Sequence, residues 1–264
     1  MTLSPITPLI GVLGGMGPLA TVDFLQKIVA STPASRDQDH VPLLIWNVPQ
    51  IPDRQKALAG TGESPLPTML QGIRRLNEGG ATRIAIPCNT AHLWSGELAA
   101  ASLAPLIHIV DAALAAVERH DTQGAPVGIV ATRGTLAGKL YQDRLSARNI
   151  PYLINTDDEI DSLFTPGCYA IKQNRLDQGG ALLESAARQL IRRGAQTLIL
   201  ACSEVPVGLV HLRSDLLPIC VDPTQALADA CIDYWRQTPH CPTGYESEQA
   251  AGSDHDVRHG DRNE

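Results

Sequence analysis

The stretch GVLGGMGP at residues 11–18 and its echo GIVATRGT at residues 128–135 decide how this chain folds. In each, an apolar run meets a turn of small residues and passes into a helical pattern. Cys88 lies 77 residues after Gly11, and Cys202 lies 74 residues after Gly128. Each cysteine comes after an apolar run, RIAIP (83–87) or TLILA (197–201). Each precedes small polar residues of helix-start type, Asn89-Thr90 and Ser203-Glu204. A later run in each half leads to an aspartate, Asp111 or Asp222, 23 and 20 residues beyond the cysteine. The repeat is one of pattern, with few identities.

The remaining runs, PLLIWNV (42–48), PLIHIV (105–110), PYLI (151–154) and PICV (218–221), complete four strand signals per half. Helical periodicity separates them, as in PLATVDFLQKIVAS (18–31), LYQDRLSARN (140–149) and GALLESAARQLIRRGA (180–195). Alternating strand and helix signals predict an α/β fold. It comprises two pseudo-two-fold-related lobes, residues 1–112 and 113–222, each a four-stranded mostly parallel sheet flanked by helices. Residues 237–264, rich in Asp, Glu, His, Gly and Ser, read as a disordered polar tail. Open α/β sheets work at the carboxyl ends of their strands, where both cysteines fall. Lobes facing each other about a two-fold axis bring the two thiols together across one inter-lobe cleft.

Composition removes other classes of function. A net charge of −7 with no long basic cluster, and only 4% aromatic residues, disfavour nucleic acid as a partner. The longest apolar stretch, 98–117, is broken by Pro105, His108 and Asp111 and fails as a membrane span. No signal peptide is read, the first basic residue being Lys27. Six cysteines without a C-x-x-C pair, in a chain of 264 residues, suit reduced thiols in the cytoplasm.

The matched placement of Cys88 and Cys202 singles them out as functional, with helix-start N–H groups expected to lower both thiol pKa values toward neutrality. Cys168, in a loop, and Cys220, Cys231 and Cys241 read as small structural residues. His92, four residues after Cys88, either tunes or relays to that thiol or packs on its helix. A metal site on Cys88 and His92 lacks two ligands, so no metal is expected. GVLGGMGP is not G-x-G-x-x-G. It either presents N–H groups to a small anion or serves as a packing turn. In NVPQIPDR (47–54), Asn47, Gln50 and Arg54 come after the second strand and are placed to hold a substrate. From spacing alone, Arg54 and Lys172 read as surface charges.

Together, GVLGGMGP, NVPQIPDR, PCNTAH (87–92), GIVATRGT and ACSE (201–204) make the chain resemble the cofactor-independent aspartate/glutamate racemases over about residues 8–236, nearer the aspartate branch. The resemblance implies that a C-terminal helix, 223–236, crosses back to lobe 1. It implies an amino-acid racemase interconverting L- and D-aspartate, with glutamate second, and needing neither pyridoxal phosphate nor metal. Cys88 and Cys202 are then the two acid/base residues, on opposite faces of Cα. Arg54 and Lys172 match positions holding the side-chain carboxylate. Met16, Gln50, Asn89, Thr90 and Thr132 match substrate-contacting positions, with His92 and Glu204 in support. The partner implied is a small dicarboxylic amino acid, and any self-association is expected to be a homodimer. Ala201-Cys202-Ser203 departs from the usual Gly-Cys-Thr, which reshapes the pocket rather than the chemistry. Two alternatives stand beside this reading. One is another two-cysteine isomerase, such as a maleate cis-trans isomerase. The other is a non-catalytic small-molecule-binding protein.

Overall fold

The computed structural model describes residues 8–120 and 124–238. The tail expected to be disordered lies almost wholly outside these residues, as does Cys241. The apolar runs of the sequence become β1 (Ile10–Gly14), β2 (Leu43–Asn47), β3 (Arg83–Ala85) and β4 (Leu106–Ile107) in the first half. In the second they become β5 (Val127–Ile129), β6 (Tyr152–Ile154), β7 (Thr197–Ile199) and β8 (Cys220–Val221). Two four-stranded sheets result, ordered β2-β1-β3-β4 and β6-β5-β7-β8, and every pairing is parallel. The two sheets have the same strand order, which is the structural form of the sequence repeat. Central strands β1, β5 and β7 are buried throughout, as parallel strands covered on both faces must be.

The last landmark of the repeat lies three residues earlier in the first half than the sequence suggests. Asp111 does not end β4; it sits in the first turn of the helix Ile109–Arg119, exposed and paired with Arg144 at 2.9 Å. The residue equivalent to Asp222 is His108. Both are N-caps, His108 accepting from the Val110 N–H and Asp222 from the Thr224 N–H. Both stand 20 residues after their cysteine. Histidine is a rare cap, so the helix-start signal was weak there.

The helix Pro223–Gln237 packs against the lobe 1 helices Pro18–Ser31 and Ile109–Arg119. Lys27, on the first of these, pairs with Asp23 and reaches Asp222 at 2.6 Å and Thr224 at 2.8 Å. One apolar core runs through both halves, joining Phe24, Val117 and Leu227 to Ile129 and Ile199. Among the described residues no helix is long and apolar enough to cross a membrane.

Candidate active site

The glycine turn after β1 is a packing device first. Gly15 has φ +96°, and a Cβ there would stand 2.3 Å from the Val48 carbonyl oxygen. Its N–H is taken by the Thr21 hydroxyl at 3.0 Å, so it is not offered to an anion. The turn carries Met16, 2% exposed, to the carboxyl edge of the sheet.

At that edge the two halves meet. A cavity of about 20 Å³ is lined by Met16, Arg54, Cys88, Asn89 and Thr90 from one half. Thr132, Lys172, Cys202, Ser203 and Glu204 line it from the other. Every sequence-predicted residue except Asn47, Gln50 and His92 is therefore brought together. Asp53 and Gln55 join the lining as well. Gln50 is exposed in the turn after β2; Gln55, in the first turn of the helix Arg54–Leu58, takes the inward place. The signal for that shift was Asp53, whose Oδ1 caps the helix Arg54–Leu58 by accepting from the Gln55 N–H at 2.7 Å and the Lys56 N–H at 3.2 Å. Once that helix is recognised, Arg54 and Gln55 occupy its first turn.

The halves are joined through these residues. Gln55 Nε2 donates to Thr132 Oγ1 at 3.0 Å and to Thr90 Oγ1 at 3.3 Å, while its Oε1 accepts from the Gly134 N–H at 3.0 Å. Thr90, Thr132 and Thr135 form a hydroxyl triad with edges of 3.0 to 3.1 Å. Tyr169 donates its hydroxyl to Asp53 Oδ2 at 3.1 Å. Burial works against ionisation of Asp53, but the capping N–H groups, Lys172 and this hydroxyl hold its carboxyl below the usual range.

The thiols do not behave as the helix-start argument predicts. Burial pushes Cys88 up, and the nearby Arg54 charge and the Ala91 N–H offset this only in part. Beyond Cys88 the chain enters a short 3₁₀ turn, Thr90–Trp94, not an α-helix. Cys202 is raised further, by its contact with Cys168, by burial and by the Glu204 charge. In the closed cleft desolvation outweighs the backbone dipoles.

His92 is buried behind Cys88 and touches backbone, not thiol. Its Nδ1 is 2.9 Å from the Cys88 carbonyl, and its Nε2 accepts from the Ile109 N–H at 3.3 Å. That pattern requires the neutral Nδ1–H tautomer, and burial lowers its pKa to about 3. His92 therefore fixes the Cys88 loop to the next helix, and both relay and metal-ligand roles lose their free nitrogen.

Glu204 is 4% exposed. Its Oε2 accepts from the Cys202 thiol at 3.0 Å and the Ser203 hydroxyl at 3.3 Å. Its Oε1 has no hydrogen-bond partner and stands 4.0 Å from Lys172 Nζ. Burial opposes the Lys172 charge, yet Glu204 and the neighbouring cysteines raise its pKa overall. Asn89 receives the Tyr141 hydroxyl on Oδ1, and its buried Nδ2 is also without a partner. Buried polar atoms without partners are rare, and two of them beside one cavity mark a place where a polar ligand completes the set.

Cys168 contradicts its structural reading. It lies on the helix Thr165–Lys172, not in a loop, and its Sγ is 3.9 Å from Cys202 Sγ. It also lines a second, larger cavity of about 320 Å³ that shares Gln55, Thr132 and Lys172 with the first.

The Asp/Glu/hydantoin racemase family model matches residues 13–231. This chain belongs to the Asp/Glu/hydantoin racemase family. It is thus a racemase, an isomerase by reaction class. It is 27% identical over 231 residues to the broad specificity amino-acid racemase RacX of Bacillus subtilis (strain 168), covering 85% of this chain and 96% of that one. The Picrophilus torridus aspartate racemase superposes with a TM-score of 0.76 at 30% identity, covering 87% and 94% of the two chains. The Francisella tularensis glutamate racemase, solved with D-glutamate, shares the fold at a TM-score of 0.64 and 17% identity, over 86% and 81%.

Proposed function

We propose that this racemase interconverts L- and D-aspartate, with glutamate as a second substrate, by proton transfer between Cα and the Cys88 and Cys202 thiols. The observation that carries the reading is that Cys88 and Cys202, at equivalent strand ends of two equivalent sheets, line one cavity between Arg54 and Lys172. Racemisation removes a proton from one face of a carbon and returns one to the other, which needs two acid/base groups on opposite sides. One thiol starts as thiolate and the other as thiol, and they exchange states each turnover.

The surroundings favour Cys88 as the resting base. Arg54 and the Ala91 N–H assist its ionisation, whereas Cys168 and Glu204 oppose that of Cys202. The Cys202 thiol donates to Glu204 Oε2 at 3.0 Å, in keeping with Cys202 as the resting thiol. The unpartnered Asn89 Nδ2 is available to a substrate carboxylate, where charge builds as Cα is deprotonated. Arg54 Nη1 is bound to the Ile51 and Pro52 carbonyls at 3.3 and 3.0 Å, leaving Nε and Nη2 for the second carboxylate. Lys172 faces it from the other half. No step asks for pyridoxal phosphate or metal. The five described cysteines are free thiols, in keeping with a cytoplasmic enzyme.

The larger cavity favours a second reading, a wider set of amino acids. Its wall includes Leu58, Ala59, Ala137 and Phe164, and it adjoins the thiols through Cys168. A longer apolar side chain has room there. One experiment separates the readings: purified enzyme is incubated with each common amino acid in heavy water, and enantiomers and Cα deuterium are measured. Aspartate with Cα label supports the proposal, and equal turnover of apolar amino acids supports the wider set. Alkene isomerisation of maleate without amino-acid exchange would replace both.

A further inference from the structure

Cys168 is a buried thiol for which proton transfer at Cα has no use, and it sits against a thiol for which that reaction has. Its Sγ, the Cys202 Sγ and a Glu204 carboxylate oxygen all lie within 4.8 Å of one another, and all three residues are buried. We infer that Cys168, Cys202 and Glu204 form a binding site for a thiophilic divalent cation of the zinc class, and that occupancy of this site shuts the enzyme off.

The geometry supports this in three ways. Zinc–thiolate bonds of about 2.3 Å place two sulfurs of a tetrahedral site about 3.8 Å apart. The separation here is 3.9 Å, so the sulfurs need no rearrangement. Glu204 Oε2 is 3.0 Å from Cys202 Sγ, against a tetrahedral sulfur–oxygen edge of about 3.5 Å, which a small swing of the carboxylate provides. Second, Glu204 Oε1 is buried and lacks a hydrogen-bond partner, so the carboxylate has unspent acceptor capacity at the site. Third, the charges balance: two thiolates and a carboxylate meet a divalent cation and the Lys172 ammonium, 4.0 Å from Glu204. Two sulfur ligands select zinc or cadmium over magnesium or calcium. Cys168 lines the larger cavity and Cys202 the smaller, so the site lies in the wall between them, open to entry from the first.

Binding displaces the two thiol protons to solvent and forms two metal–sulfur bonds, with no change of oxidation state. Cys202 can then neither give nor take a proton at Cα. This loss of activity rests on the two-thiol reading above; the binding itself does not.

The test uses the whole chain, reduced and freed of metal, titrated with cadmium and then zinc. Cadmium should bind at one equivalent with a sulfur-to-metal charge-transfer absorption of two thiolates. Cys168→Ser should halve that absorption and weaken zinc binding at least tenfold, and Glu204→Gln should weaken it with the two-sulfur absorption intact. Cys220→Ser, a thiol remote from the site, serves as the control and should bind as the parent does. An absorption of one thiolate in the parent, or zinc affinity unaltered by Cys168→Ser and by Cys168→Ala, would overturn the site. Racemisation should fall in step with zinc occupancy and return with a chelator. Full occupancy with undiminished racemisation would refute the shut-off and count against the role of Cys202, leaving the site itself standing.

Discussion

Gln55 donates its side-chain N–H to the Thr132 hydroxyl at 3.0 Å across the line where the two halves meet. With the Tyr169–Asp53 bond it holds the cleft shut, and the cavity beneath has room for little more than one water. An amino acid needs more room than that, so these bonds are expected to part when it enters. Tyr169→Phe removes one of them and leaves the ring. A hydrogen bond to a charged acceptor contributes ~1.5–3 kcal/mol, so the open form gains about tenfold or more. Alkylation of Cys88 and Cys202 by iodoacetamide, read afterwards by peptide mass, should accelerate to match. An unaltered rate would mean that the halves separate elsewhere.

Cys88→Ala and Cys202→Ala should each lower racemisation by ~10³-fold or more, because a proton donor or acceptor is lost outright. Each variant should still exchange the Cα proton of one enantiomer in heavy water, read by NMR. Near-normal interconversion by either variant would sink the two-thiol mechanism.

Arg54→Leu and Lys172→Leu should each reduce kcat/KM for aspartate by ~2 kcal/mol, about thirtyfold, the scale of a desolvated charge-assisted contact. Turnover of alanine, if measurable, should be little affected. The opposite pattern, with aspartate unchanged, would make a neutral amino acid the better substrate.

His92 has a pKa of about 3 in the folded chain against 6.5 unfolded, so the folded state disfavours its charged form. Its contribution is fully present above pH 6.5 and is lost as pH falls toward 3, at about 1.4 kcal/mol per pH unit. Urea unfolding between about pH 7 and pH 4 should show this slope, and His92→Gln should flatten it. A variant that keeps the full slope would assign the acid sensitivity to other groups.

Much of the fold was legible because parallel strands buried on both faces write themselves as unbroken apolar runs, and all eight runs became strands. Cys88 and Cys202 were legible because the repeat marked them twice. The residues that escaped depend on distance in space. Cys168 carries no local mark, and only the packing of helix Thr165–Lys172 beside the β7 loop brings it to Cys202. The choice between Gln50 and Gln55 turned on a five-residue helix too short for periodicity to reveal. The rise in thiol pKa came from the Cys168 contact at Cys202 and from burial at both thiols, neither of which sequence spacing measures.

The helix Pro223–Gln237 has a consequence for the order in which the protein is made. It supplies Ala226, Leu227, Ala228, Cys231 and Ile232 to the core that Phe24, Ile28 and Val117 begin. A nascent chain that has emerged as far as Arg119 therefore carries a complete sheet with part of its apolar cover missing. The cover arrives about a hundred residues later, after the entire second sheet has been translated. Ribosome-bound chains stalled before residue 223 should bind holdase chaperones and aggregate on release, and supplying residues 223–237 as a separate peptide should rescue them. A helix made late in synthesis closes a sheet made early.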